Sequence, residues 1–223
     1  SGDSNIAIGY NAMTGATTGS NNTVVGKDAA AGATMTGSDN TFMGKDAGQA
    51  ITSAANNVIV GSAAGIAVTT GGNNVVVGME AGGALTSGTE NVAVGFQAMK
   101  LVTTASSNVA IGNEAMENNV AANNVAVGTK ALRANTTGAN NVAMGGSALL
   151  TNSTADNNTA IGFQALRLNT TGTKNTAMGK NALESNTTPA NNTAIGYNAM
   201  NLNTTGANNT ALGSFAMENN TTG

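Results

Sequence analysis

Hydrophobic and polar positions along this chain recur in a fixed frame. A short run of alternating aliphatic character ends each time in a glycine, at Gly9, Gly26, Gly44, Gly61, Gly78, Gly95, Gly112, Gly128, Gly145, Gly162, Gly179, Gly196 and Gly213. The interval is 17 residues except for one of 18 and one of 16, and a constant period in this range signals a stacked-repeat architecture. Four residues before each glycine stands an asparagine: Asn5, Asn22, Asn40, Asn57, Asn74, Asn91, Asn108, Asn124, Asn141, Asn158, Asn175, Asn192 and Asn209. Three residues after it stands alanine, from Ala12 and Ala29 to Ala216, and directly before it a large aliphatic residue, from Ile8 and Val25 to Leu212. The unit reads Asn-(Thr/Val)-Ala-(Ile/Val/Met)-Gly-x-x-Ala-(Met/Leu), followed by a polar stretch of the Asn-Thr-Thr-Gly kind.

Four or five residues with β-branched side chains at alternate places, closed by glycine, predict a short strand and a turn. A helical repeat is excluded by length, since 17 residues hold about one short helix with no room to return, and by the Asn and Gly content. The expected fold is all-β: a parallel β-solenoid of thirteen coils, about 17 residues each, forming a single repeat domain over residues 1–223. Within it, asparagines stacked about 4.8 Å apart can donate and accept along a ladder. The glycine supplies the tight corner with positive φ, and the alanine fits a corner without space for more.

Side chains alternate between the two faces of a strand, so the residues one and three places before the glycine share a face opposite to the residue between them. One face can fill the coil; the other is left as an uncharged stripe about 60 Å long over thirteen coils at 4.8 Å, and such a stripe marks an interface. The middle residues, small at most positions, are expected to be the outward ones that meet sister chains: Ala7, Val24, Phe42, Ile59, Val76, Ala93, Ala110, Ala126, Ala143, Ala160, Ala177, Ala194 and Ala211. Burial of this face predicts an oligomer, a homotrimer. The Met/Leu positions (Met13, Met99, Met116, Leu132, Leu149, Leu166, Leu183, Met200, Met217) are predicted core. Coils two to five carry Ala30, Gly48, Gly65 and Gly82 there while the middle residue grows, as if volume had moved across the strand. The two variable positions after each glycine, with Lys27-Asp28, Lys45-Asp46, Glu80, Glu114 and Lys130, or Tyr10, Phe96, Phe163 and Tyr197, are predicted outward loops.

Composition narrows the function classes. Low complexity suggests disorder, but 40% hydrophobic and 9% charged residues are the reverse of a disordered recipe. A net charge of −3 with eight Lys and Arg offers no basic stripe for nucleic acid. No apolar run of about 18 residues predicts membrane insertion, and Ser1-Gly2-Asp3-Ser4 does not read as the start of a signal segment. With neither His nor Cys, nucleophile–base pairs and soft metal sites lack material. The eleven acids form no recurrent facing pair of the kind glycoside hydrolysis requires, and no phosphate-cradling loop or calcium nonapeptide occurs. No catalytic, cofactor-binding or metal residue is therefore nominated, and a non-enzymatic protein is expected. Asn-x-Thr triplets such as Asn169-Thr170-Thr171 are read as by-products of the repeat. A threonine eight residues after most of the glycines (Thr17, Thr34, Thr52, Thr69, Thr86 and onward) raises an ice-binding surface as an alternative, although ice binders generally present two such columns.

The unit Asn192-Thr193-Ala194-Ile195-Gly196-Tyr197-Asn198-Ala199 resembles the head repeats of trimeric autotransporter adhesins of the YadA type, and is also similar to repeats of phage tail fibres. The resemblance spans essentially the whole chain. It implies a left-handed parallel β-roll assembled as a trimer, exposed on a cell surface or virion, used for attachment to an unknown receptor. The expected function is an extracellular or virion fibre segment, structural and adhesive. A phage tail-fibre shaft, a purely structural filament and an ice-binding solenoid are the alternatives. The chain opens and closes inside a repeat, so a fragment of a longer fibre, or end-to-end stacking, is expected.

Overall fold

The computed structural model describes residues 2–32 and 34–222. Among them the secondary structure is thirteen three-residue strands joined by turns, without a helix: β1 Ile6–Ile8, β2 Thr23–Val25, β3 Thr41–Met43, β4 Val58–Val60, β5 Val75–Val77, β6 Val92–Val94, β7 Val109–Ile111, β8 Val125–Val127, β9 Val142–Met144, β10 Thr159–Ile161, β11 Thr176–Met178, β12 Thr193–Ile195 and β13 Thr210–Leu212. The chain divides into two compact units, Ser1–Ala110 and Ile111–Gly223. In the first, β1 to β6 stack in chain order, and in the second β8 to β13 do the same; β7 straddles the division. Every pairing is parallel and in register, with Ile59 opposite Val76 in the first unit and Ala160 opposite Ala177 in the second. Both units are parallel β-solenoids in which one repeat makes one coil.

A coil consists of the strand, two consecutive turns and an extended return. In the fourth coil Ala64 N–H donates to Gly61 O (3.3 Å) and Val68 N–H to Gly65 O (3.0 Å), closing the turns, and Thr69 N–H then bonds the next coil at Thr86 O (3.0 Å). The repeat glycine has two reasons to be glycine. Its φ lies between +123° and +146° in all thirteen coils, a region closed to L side chains, and a Cβ at Gly61 would stand 2.6 Å from Gly78 O. Glycine stacks on glycine because nothing larger lets the corners approach.

Three more positions of the repeat are left-handed, and outside Gly48, Gly65 and Gly82 they are held by residues other than glycine. Asn73, Glu80 and Leu132 represent them, with φ of 59°, 57° and 51°. Each such residue costs on the order of 1–2 kcal/mol; backbone bonds to the neighbouring coil hold Asn73 (to Ala55 O, 3.1 Å) and Glu80 (to Ser62 O, 3.0 Å), and packing holds Leu132. At the Leu132 position the side chain projects into the coil and is fully buried, as are Met99, Met116, Leu149, Leu166, Leu183 and Met200. Met217, in the last coil, is exposed at 40%.

The interior corrects one expectation from the sequence. Val24, Phe42, Ile59, Val76, Ala110, Ala126, Ala143, Ala160, Ala177 and Ala194 have no exposed surface, and Ala93 and Ala211 retain 1% and 3%. Only Ala7, in the first coil, is open. From β2 to β13 the middle residue therefore points into its own coil and cannot meet a sister chain; the flanking pair faces out. The physical reason is available volume. The interior also receives the alanine after the turn, the Met/Leu side chain and the asparagine, so only one strand side chain per coil fits, and it is small wherever Met or Leu is present. In coils three to five the exchange is direct: a Cβ on Gly48 would lie 2.8 Å from the Phe42 ring, one on Gly65 2.8 Å from Ile59 Cδ1, and one on Gly82 3.2 Å from Val76 Cγ1. Volume moves within one interior and not across the strand.

The asparagines four residues before the glycine are buried from Asn22 to Asn192. In the first unit Asn74 Nδ2 donates to Asn57 Oδ1 of the preceding coil (3.1 Å) and to Gly88 O across its own coil (2.9 Å), and its backbone N–H also donates to Asn57 Oδ1 (2.9 Å). The side chain is at once a rung between coils and a spoke within one. The second unit contains a further ladder that the sequence reading did not single out: Asn135, Asn152, Asn169, Asn186 and Asn203, all fully buried. Asn169 Nδ2 donates to Asn152 Oδ1 (2.9 Å) and to Gly172 O (2.9 Å), and Gly172 O also accepts from Asn158 Nδ2 (2.9 Å). Both lone pairs of one corner carbonyl are thus used. The first unit fills the same place with Ile51, Val68, Leu85 and Val102, all buried. The signal in the sequence is the recurring Asn-Thr-Thr motif, whose asparagine by itself reads as part of a polar loop.

Candidate interaction surfaces

The first candidate surface is the outward face of the strands. It carries two columns, residues three and one before the glycine: Val58 and Val60, Val75 and Val77, Val92 and Val94 in the first unit, and Val142 and Met144, Thr159 and Ile161, Thr176 and Met178 in the second. The columns contain no charged residue. Met43 is 47% exposed, Val58 40% and Met144 42%, which makes this an open, uncharged face within each unit, with threonine hydroxyls among the aliphatic side chains. Parallel in-register pairing sets each outward pair beside the corresponding pair of the next coil, so the face is continuous within each unit.

The turns form a second surface, and here the charges gather. Lys27 pairs with Asp28 (3.3 Å) and Lys45 with Asp46 (2.9 Å) within single turns, and the Asp46 contact holds the Lys45 ammonium above its ordinary pKa. Between coils, Lys100 Nζ meets Glu80 Oε2 at 2.8 Å, Arg167 Nε meets Glu184 at 2.9 Å, and Arg133 Nε meets Glu117 at 2.8 Å and Glu114 at 3.1 Å. The hydrogen bond from Arg133 to Glu117 raises the guanidinium pKa. Lys100, with Gln97 donating to the same carboxylate, holds Glu80 below the usual glutamate range. Exposed pairs of this kind contribute little to stability. Tyr10, Phe96, Phe163 and Tyr197 project outward from the turns; Tyr197 packs edge-on against Phe215 at 5.1 Å with Lys180 Nζ 5.8 Å from its ring.

The threonine column belongs to the framework. Thr52 Oγ1 donates to Thr69 O (2.9 Å), Thr136 Oγ1 to Ser153 O (2.8 Å) and Thr170 Oγ1 to Thr187 O (3.1 Å), so these hydroxyl protons stitch one coil to the next. Asn169, the acceptor of a formal glycosylation triplet, is buried in the second ladder.

Among the described residues, hollows open on the turn side in both units. One, of about 310 Å³ in the first unit, is lined by Ala63, Ile66, Glu80, Gly83, Ala84, Lys100 and Leu101. Another, of about 360 Å³ in the second unit, is lined by Asn118, Arg133, Ala134, Leu150 and Thr151. Both lie chiefly five and six residues after the repeat glycine, positions to which the sequence assigned no role. Among the described residues there is no group of three or more His, Cys, Asp or Glu placed to hold a metal ion, and no helix long and apolar enough to cross a membrane.

Fold and surfaces together define a β-solenoid repeat protein. No protein-family model, no curated protein and no solved structure matches the chain.

Proposed function

We propose that this chain is a non-enzymatic fibre segment of the trimeric-adhesin or tail-fibre kind, working outside a cell or on a virion, where it holds and presents a repetitive surface for attachment. The observation that carries the reading is the uncharged outward face of the strands, which runs coil after coil through each unit. An open, uncharged face carrying Val, Ile and Met side chains is an association surface, and a second and third copy of the same chain cover it when they join head-to-tail in a closed ring. The residues meeting sister chains are then Val75 and Val77 or Val142 and Met144 with their column mates, in place of the buried middle residues. The repeat unit at Asn192 to Ala199 supports the same family of architectures.

Light scattering coupled to gel filtration tests this. The expected mass is three times that of one chain, and Val142→Lys with Ile161→Lys, which place charge on the outward face and leave the coil interior untouched, convert the assembly to monomers with an unchanged circular dichroism spectrum. A monodisperse monomer from the unaltered chain overturns the assembly.

A further inference from the structure

We propose that the hollow over Ile66, Gly83 and Ala84 in the first unit is a carbohydrate subsite that seats one neutral sugar ring. It rests on the attachment reading for its biological setting only. The hollow exists because the repeat shrinks locally. Five residues after the glycine, successive coils carry Ile66, Gly83 and Lys100, so the missing side chain at Gly83 leaves a gap between two long ones, floored by Ala63, Ala84 and the half-exposed Leu101. Its volume of about 310 Å³ stands at the lower end of ligand pockets, roughly 300–1,000 Å³, and its make-up of apolar floor with few polar groups is theirs as well.

The rim selects the ligand. Glu80 and Lys100 face each other at 2.8 Å, with Gln97 Nε2 donating to Glu80 Oε2 at 2.9 Å. The pair is mutually neutralised, so an anion or cation would enter only by breaking it. A carboxylate has about four lone-pair sites and an ammonium three donors, which leaves capacity for hydroxyl groups after those contacts are made. A sugar ring matches both halves: its C–H face lies on Ile66 and Leu101, and adjacent hydroxyls donate to Glu80 and accept from Lys100. An aliphatic side chain from a protein partner would match the floor but desolvate the ion pair without replacing its water. The second unit has a hollow at the same repeat positions, lined by Asn118, Arg133, Ala134, Leu150 and Thr151, without the acid–lysine rim.

The test uses nitrogen-15 amide spectra of the full chain, titrated with glucose, galactose, mannose and N-acetylglucosamine, with glucosamine and sialic acid as charged probes and N-acetyl-leucinamide as the side-chain probe. The expected result is a shift of the Gly83, Ala84 and Lys100 amides with at least one neutral sugar, and weaker shifts with the charged probes. Gly83→Leu fills the hollow at little cost, because a Cβ there meets nothing nearer than 3.4 Å; affinity read at Ala84 and Lys100 falls by about ten-fold or more. Lys100→Met, which keeps the floor, weakens sugar binding without affecting N-acetyl-leucinamide, and serves also if Gly83→Leu disturbs the fold. Silence of these amides toward every neutral sugar, or a response to N-acetyl-leucinamide alone, overturns the proposal. Adhesion of labelled protein to cells is scored in parallel: sugar binding by a chain that adheres to nothing sinks the attachment reading alone, and adhesion by a chain whose hollow ignores sugars sinks this proposal alone.

Discussion

Asn74 fixes the positions of several other groups. Its Oδ1 accepts from Asn91 N–H (2.9 Å) and Asn91 Nδ2 (3.1 Å), and its Nδ2 satisfies Gly88 O and Asn57 Oδ1. Asn74→Ala removes all of these at a site without water access. Each buried polar group left alone costs about 1–3 kcal/mol, so a loss of several kcal/mol is expected in urea unfolding. Asn74→Asp is nearly isosteric and turns a donor into an acceptor aimed at two oxygens. Burial raises the folded-state pKa of such a carboxyl above its unfolded value. The protonated form then favours folding below the unfolded pKa, and stability is lost as pH rises through the folded pKa. Thermal melts of Asn74→Asp at pH 5 and pH 8 are expected to show the larger deficit at pH 8; equal deficits would mean that the side chain is solvated.

A single coil behaves as a small sealed volume with a choice of filling. In the third coil Phe42 occupies the space that Leu149 occupies in the ninth, and Gly48 stands where Leu149 stands, with Ala143 in the place of Phe42. Phe42→Ala alone leaves a cavity and costs about 3–5 kcal/mol. Gly48→Leu alone drives a side chain into the Phe42 ring, 2.8 Å from where its Cβ must sit, and is destabilising by overpacking. The double variant recreates the Ala-and-Leu filling of the second unit. It is expected to recover most of both losses, a strongly non-additive cycle, measured by chemical denaturation. Additive losses would show that the two positions do not share one interior. The exchange is legible in the sequence as a correlated change in coils two to five, but the alternation rule cannot say that both side chains enter the same space. That depends on how the turn after the glycine folds the chain back over the strand.

At the scale of the molecule, a solenoid unit is close to a sum of coils and their nearest-neighbour interfaces. Deleting residues 158–174 of the second unit removes one 17-residue coil and brings Asn175 into the place of Asn158, above Asn141, with the register of strand, glycine and both ladders kept. Such a variant is expected to fold with the same spectrum per residue and a melting temperature only a few degrees lower, whereas deleting half that length puts every later side chain on the wrong face and abolishes cooperative melting. The same additivity explains how charge and bulk vary freely on the turns: Gly83 and Lys100 are neighbours in one position of the repeat, and neither disturbs the interior behind them.

The sequence alone determined the coil length, the parallel register, the strand-and-turn alternation and the need for glycine at each corner, because all of these follow from like residues recurring at a fixed interval. It did not decide which side of the strand faces in. Residues such as Ala160 and Ile161 are both uncharged, and alternation separates them without orienting them. Tertiary structure settled that through volume: the interior admits one strand side chain beside the alanine, the Met or Leu and the asparagines. It also decided that a second row of asparagines, from Asn135 to Asn203, is buried where the motif alone suggested a polar loop, because inside the coil each amide reaches both a corner carbonyl and the amide of the coil before, as Asn169 does with Gly172 and Asn152.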